Sequence, residues 1–405
     1  MLYQAYQAHA DIMSPVRAFA GAALTTVSER LNGSARPSML SNLGAACEMI
    51  TRAGLSHTRP PYGIDSVMVG NREVAVTEEA FDVTPFATLL HFKKDIDQAQ
   101  PRVLIVAPLS GHFATLLRAT VRTMLSEHDV YITDWHNARD VPLADGPFDF
   151  NDYAGHMIRF LEKLGPGAHV VAVCQPCVAT LVAVSVMAQG DNPAQPRSMT
   201  LMAGPIDTRV NPTKVNELAK SKPIEWFEQN LIATVPSRYP GAGRRVYPGF
   251  VQLTAFMSMN MERHLKAHRD LYANIASGHH DKAAVTKAFY DEYFAVLDLA
   301  AEFYLETVKL VFQDHALPLG LLTYEGRKVD PAAIRRTMLF TVEGEKDDIC
   351  AVGQTLAAHD LCTSLRPYRK RHHMQAGVGH YGVFSGRAWQ NQIYPMVRNV
   401  ILQSD

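Results

Sequence analysis

Short runs of β-branched and aliphatic residues alternate with longer stretches of helical periodicity, and this alternation predicts the fold class. Residues 103–106 are aliphatic and end at Pro108, Ser110 and Gly111; a helical stretch follows over 113–126. Residues 130–133 form the next strand, and 152–164 an amphipathic helix stopped by Gly165 and Pro166. The run 170–173 is apolar throughout and leads into an apolar helix over 177–189; a strand over 199–202 ends at Gly204 and Pro205. Strands separated by helices of this length predict parallel β-α-β units with right-handed crossovers.

Outside that alternation the pattern changes. Residues 18–53 are helical in period, with Leu31, Met39, Leu40 and Leu43 as apolar positions, and strand-like segments follow at 66–69 and 73–78. After Asp207 the alternation lapses. It resumes with a strand over 337–342, another over 372–375 that includes His372 and His373, and a closing helix over 389–402. The intervening stretch is helical and aromatic, with Trp226, Phe227, Tyr239, Tyr247, Phe250, Phe256, Phe289, Tyr290, Tyr293, Phe294, Phe303, Tyr304 and Phe312. Such an insertion between two strands of a parallel sheet predicts a lid. The chain divides into an N-terminal helical extension (residues 1–65), a core in two parts (66–204 and 331–405) and a helical lid (205–330). The expected fold class is α/β, with a central, mostly parallel sheet.

Composition narrows the function. Of the 405 residues 47% are hydrophobic and 20% charged, which excludes disorder, and a formal charge of -1 supplies no field for nucleic acid. The first residues lack a basic stretch followed by an apolar core, so a cytoplasmic protein is expected. The run 170–188 is interrupted by Gln175, Pro176, Thr180 and Ser185, and no membrane span is expected. Five scattered cysteines (Cys47, Cys174, Cys177, Cys350, Cys362) argue for reduced thiols.

The chemistry concentrates at three turns. Ala172-Val173-Cys174-Gln175-Pro176 joins a buried strand to a helix, the context of the G-x-S-x-G elbow, with Cys174 at the nucleophile position and Ala172 and Pro176 replacing the glycines. A helix N-terminus favours a thiolate there. After the strand at 337–342 comes Gly344-Glu345-Lys346-Asp347, where the fold presents its acid; Asp348 is the rival. After the strand at 372–375 comes Gly377-Val378-Gly379-His380, a glycine-flanked loop that can carry an imidazole. Nucleophile, acid and base follow in hydrolase order, so the fold is expected to be an α/β-hydrolase with an N-terminal helical extension and a helical lid insertion. The oxyanion amides are expected from Gln175 and from Leu109 or Ser110, and His112 beside them reads as a solvated loop histidine. No spacing suggests a phosphate loop or a zinc site, so no cofactor or metal is expected.

The chain resembles the intracellular polyhydroxybutyrate depolymerases. The resemblance rests on the Met-Leu-Tyr start, residues 107–118 (Ala-Pro-Leu-Ser-Gly-His-Phe-Ala-Thr-Leu-Leu-Arg), Thr-Asp-Trp at 133–135 and Val-Cys-Gln-Pro at 173–176. Tyr-Pro-Gly-Phe at 247–250, Met259-Asn260, Phe-Tyr-Asp-Glu-Tyr at 289–293 and Gly-Val-Gly-His-Tyr-Gly-Val-Phe at 377–384 complete it. It implies a triad of Cys174, Asp347 and His380 and a short-chain polyester held in granules. Polyhydroxyalkanoate synthases, which are acyltransferases, are similar at the elbow but keep its glycines. An acyl-cysteine is also a competent donor to coenzyme A. Cys174-Gln175-Pro176-Cys177 is a C-x-x-C, so a thiol-disulfide oxidoreductase is the rival of another class. The oligomeric state, homo-oligomer included, is left open.

Overall fold

The computed structural model describes residues 2–31, 39–259 and 261–405. Residues 32–38, inside the helical stretch expected over 18–53, and Asn260 lie outside the described residues.

The central sheet is built from β1 (Ser66–Val69), β2 (Arg72–Val83), β3 (Ala87–Lys94), β4 (Arg102–Val106), β5 (Asp129–Trp135), β6 (His169–Val173) and β7 (Ser198–Met202). After an insertion that carries the short strands β8 (Ala233–Thr234), β9 (Arg245–Tyr247), β10 (Leu299–Ala300), β11 (Thr323–Tyr324) and β12 (Arg327–Lys328), the sheet resumes with β13 (Met338–Gly344) and β14 (Lys370–Gln375). Its spatial order is β1-β2-β3-β5-β4-β6-β7-β13-β14. Strands β4 to β14 of this sheet pair in parallel, and β1, β2 and β3 form an antiparallel wing joined to β5. This is the α/β-hydrolase arrangement. Every residue of β6, β7 and β13 is buried, as strands covered on both faces require.

The strand order reverses between β4 and β6: the chain leaving β4 goes to β5 on one side, and the chain leaving β6 goes to β7 on the other. Their carboxyl ends therefore part to leave a crevice, the place where open α/β sheets bind ligands.

Helices α1 (Leu2–Leu31) and α2 (Met39–Arg52) precede the sheet, so helix begins well before the expected residue 18. Strand β3 was not expected from sequence. Its partner β2 exposes Glu78 and Glu79, and β3 itself mixes His91, Lys93 and Lys94 with its apolar residues, so it lacks the continuous apolar run that marks the parallel strands. Around the sheet lie α3 (Arg118–Met124), α4 (Phe150–Leu164) and α5 (Pro176–Gln189). Asp149 and Asp152 close a capping box at the start of α4, and Gly165 ends that helix with φ 75°. Helix α5 is apolar on all sides, and Pro176 at its first turn forfeits an N–H that has no partner within the helix.

The insertion between β7 and β13 contains α6 (Lys214–Lys220), α7 (Ile224–Leu231), α8 (Gly249–Met259), α9 (Met261–Ala276), α10 (His280–Tyr293) and α11 (Ala301–Thr307). It is mostly helical, but β8, β9 and β10 add a small antiparallel sheet that the aromatic periodicity did not reveal. Helix α11 continues into a π-helical turn, Val308–Gln313. The closing helix is Tyr394–Ser404, preceded by a π turn at Trp389–Ile393 rather than running unbroken from 389. No helix among the described residues is long and apolar enough to cross a membrane.

Candidate active site

At the carboxyl end of β6 the chain turns sharply into α5, and Cys174 sits on that turn with φ 68°. A side chain in this left-handed region is strained by about 1–3 kcal/mol and persists only where its surroundings over-determine it. Those surroundings are visible. The Cys174 N–H donates to the Met202 carbonyl at 2.7 Å, and the Cys177 N–H donates to the Cys174 carbonyl at 3.1 Å. Behind the turn, Gly204 packs so closely on the Cys177 side chain and the Cys174 carbonyl that a methyl group there would overlap them.

Asp347 follows β13, and its side chain is fully buried. Oδ1 accepts the N–H groups of Ile349 at 2.9 Å and Cys350 at 2.8 Å; Oδ2 accepts from His380 Nδ1 at 2.7 Å. It is thus Asp347, not Asp348, that meets the histidine. His380 begins a 3-10 turn after β14, buried, with Cys174 on its other side. Burial opposes a charge on this imidazole, but the neighbouring Cys174 and the hydrogen-bonded Asp347 carboxylate push its pKa well above the ordinary value. The three expected residues are therefore brought together by loops at one end of the sheet.

Near the end of β4, the Leu109 N–H points at the elbow and donates to the Gln175 side-chain oxygen at 3.4 Å. His112 is not a solvated loop residue. It is buried, bonded to the Tyr293 carbonyl at 3.2 Å, packed on Phe256 and Tyr293, and pushed down to about 4 by burial. The inserted segment closes over its loop, which the local sequence did not reveal. Cys177 is fully buried, its thiol pushed well up by burial and by the neighbouring Cys174, and its Sγ faces the Ala172 and Met202 carbonyls. All five cysteines are unpaired.

Three supporting residues escaped the sequence reading. Glu343, buried within β13, accepts the N–H groups of Gly353, Thr355 and Leu356 and so ties down the loop that follows Asp347. Thr355 in turn exchanges hydrogen bonds with Gly204 N–H and carbonyl at 2.8 and 2.9 Å, joining that loop to the back of the elbow. Tyr153 on α4 is fully buried and donates to Gln175 Oε1 at 3.0 Å. An acid inside the apolar run Leu339-Phe340-Thr341-Val342-Glu343 was a signal for the first; the other two had none.

A cavity of about 280 Å³ opens over Cys174 and His380, lined otherwise by Leu109, Tyr247, Phe256 and Tyr304. A larger one, about 660 Å³, lies between α1, α2 and α8 to α10 and touches none of the three residues; Cys174 and His380 face the smaller. A family profile described as PHB de-polymerase C-terminus matches residues 203–405, half of the chain, including Asp347 and His380. The chain belongs to this family. A member of a polyhydroxybutyrate depolymerase family is a carboxylic ester hydrolase acting on a polymer. No curated protein matches the chain. Among solved structures, this family member is similar to a putative lipase from Acinetobacter baumannii AYE (14% identity, 82% of this chain and 93% of the other, TM-score 0.46). It is also similar to a soluble variant of monoglyceride lipase from Saccharomyces cerevisiae (11% identity, 85% and 99%, TM-score 0.47).

Proposed function

We propose that this depolymerase cleaves the ester bonds of poly(3-hydroxybutyrate) through an acyl-cysteine intermediate on Cys174, releasing 3-hydroxybutyrate and its oligomers. The observation that carries this reading is the Asp347–His380 hydrogen bond facing one cavity with a cysteine held on a strained strand-to-helix turn.

His380, oriented by Asp347, takes the Cys174 proton, and the thiolate attacks the ester carbonyl. The oxyanion is held by the Gln175 N–H and by the amide of Leu109 or Ser110; the Leu109 N–H already gives its hydrogen to the Gln175 side-chain oxygen, which favours Ser110. The departing alcohol takes its proton from His380. Water, activated by the same imidazole, then hydrolyses the thioester. Coenzyme A thiolate is an alternative acceptor for the same acyl group.

The segment 205–330 acts as a lid: Tyr247, Phe256, Phe303 and Tyr304 give the cavity an apolar wall suited to a polyester chain. The protein works in the cytoplasm at the surface of polymer granules. Against disulfide exchange stand the Asp347–His380 pair, which a thiol exchanger would leave without a role, and Cys177, whose buried thiol is turned to the Ala172 and Met202 carbonyls.

The test is to incubate the purified protein with amorphous poly(3-hydroxybutyrate) granules, with and without coenzyme A, and to identify soluble products and intact protein mass. The reading expects 3-hydroxybutyrate species and a hydroxybutyryl adduct, both absent from Cys174→Ala. Product release by Cys174→Ala would overturn it.

A further inference from the structure

The residue after the proposed nucleophile has a role for its side chain as well as its backbone N–H. The Gln175 side-chain oxygen is gripped by two donors, the Leu109 N–H at 3.4 Å and the Tyr153 hydroxyl at 3.0 Å. A backbone N–H can only donate, so the amide cannot be flipped without setting N–H against N–H. Its orientation is therefore decided: the oxygen faces the protein, and Nε2 is the other end. Gln175 lines the cavity that contains Cys174 and His380, and Nε2 has no hydrogen-bond partner among the described residues. Tyr153 lies behind Gln175 and is not part of the cavity wall. Burial pushes the Tyr153 pKa well up, so its hydroxyl remains a donor throughout the working pH range.

We propose that the Gln175 carboxamide is a catalytic hydrogen-bond donor, giving Nε2–H to the scissile carbonyl oxygen as it becomes an oxyanion, and that Tyr153 is the positioning residue that aims it. The proposal rests on Cys174 being the nucleophile. It adds a side-chain donor to an oxyanion site otherwise built from backbone amides, and it explains why Leu109 N–H meets Gln175 Oε1. Two donors on that oxygen hold the amide in place before substrate arrives, so no reorganisation is needed when charge develops.

The test uses the full chain and a substrate with one ester, p-nitrophenyl butyrate, beside a 3-hydroxybutyrate oligomer. Gln175→Leu keeps the backbone N–H and removes only the side-chain donor. Its kcat is expected to fall about 100-fold on both substrates with KM changed by less than about threefold, as for a donor used only in the transition state. The rate of Cys174 alkylation by iodoacetamide should stay within about twofold of the parent, because the donor acts on substrate and not on the thiolate. Tyr153→Phe is expected to lower kcat roughly tenfold, and adding it to Gln175→Leu should cost nothing further, since both act through one amide. An unchanged kcat, a loss confined to KM, a loss seen with the oligomer but not the monoester, or a parallel fall in Cys174 alkylation would each overturn the proposal. If Gln175→Leu fails to fold, Tyr153→Phe decides by the same readouts. Cys174→Ala separates the two levels: activity retained there sinks the nucleophile assignment, whereas an inactive Cys174→Ala beside a fully active Gln175→Leu sinks this inference alone.

Discussion

Helices α5 and α1 are both rich in aliphatic residues, yet the molecule holds them in opposite ways. Helix α5 is enclosed on every side, with Val178, Leu181, Val182, Val184 and Met187 all buried, and its first turn is clamped by Gly204 and β7. Helix α1 buries Tyr3, Ala20 and Val27 and leaves Ile12 and Phe19 70% and 77% exposed. It packs along α2, and its polar and aromatic ties to the rest of the molecule are concentrated at its first turns. The Tyr3 hydroxyl donates to buried Asp298 at 2.9 Å, Tyr6 stacks on Phe250 at 4.1 Å, and Tyr6 shares a 2.7 Å hydrogen bond with His57. A strained nucleophile turn needs constraint in all directions, because any slack would let the backbone relax out of its left-handed conformation. A peripheral helix needs only an anchor.

Changes at the elbow should therefore be severe and global, and changes at α1 mild and local. The largest effect is expected from the reacting groups themselves. His380→Ala or Cys174→Ala should lower polymer hydrolysis by roughly 10³-fold or more, and Asp347→Asn by a comparable factor. Cys177→Ala, three residues away, should keep most activity, measured as product release per folded protein. A Cys177→Ala as inactive as Cys174→Ala would mean that the chemistry has been wrongly assigned.

Gly204→Ala comes next. The added methyl meets the Cys177 side chain and the Cys174 carbonyl, so an overpacking cost of about 1–3 kcal/mol in urea unfolding is expected, with kcat falling as the turn shifts. Near-parental values for both would show that the elbow is softer than its enclosure implies.

At α1, Tyr3→Phe leaves the Asp298 oxygen without its hydroxyl donor, a loss of about 1–3 kcal/mol that should appear as faster hydrogen exchange in α1 rather than in α5. Acid should act on the neighbouring Tyr6–His57 contact, and in the opposite sense on Asp298, whose carboxyl is pushed up to about 6 by burial. Burial, then Arg139, pushes His57 down to about 3. The folded state thus binds fewer protons than the unfolded one below the ordinary histidine pKa. The stability this neutral imidazole contributes is complete above roughly pH 6.5 and drains away as pH falls toward 3. Asp298 offsets part of this as it protonates near pH 6, so the His57 share is read from the variant: between pH 7.5 and pH 5, exchange in α1, corrected for the intrinsic rate, should rise more in the parent than in His57→Gln. The smallest effect is expected from Phe19→Ala, which removes an exposed ring and should move the unfolding free energy by no more than about 0.5 kcal/mol.

The sequence made the core legible because its signals are local. Parallel strands buried on both faces read as apolar runs, and the turn from Val173 into Pro176 carries its own punctuation. The antiparallel β3 was missed because its partner β2 shows the apolar pattern only on one face, and the small sheet of β8 to β10 because its strands are two or three residues long. Cys174 and His380 were found by their turns, and Asp347 by its register after β13, with Asp348 one residue away.

Chain order, strand period and turn chemistry were thus enough to assign an α/β-hydrolase fold and the three loops that bring Cys174, Asp347 and His380 together, since each is written in a few consecutive residues. Which carboxylate meets His380, which way Leu109 N–H points, and whether His112 is wet or buried depend on contacts across the fold. Gly204 bonds Thr355 across 151 positions and His112 bonds Tyr293 across 181. Tyr153 reaches Gln175 from a different helix. Side-chain direction at a buried site follows from steric fit and from the need to pair every buried polar group, conditions set by neighbours distant in sequence that no local pattern contains.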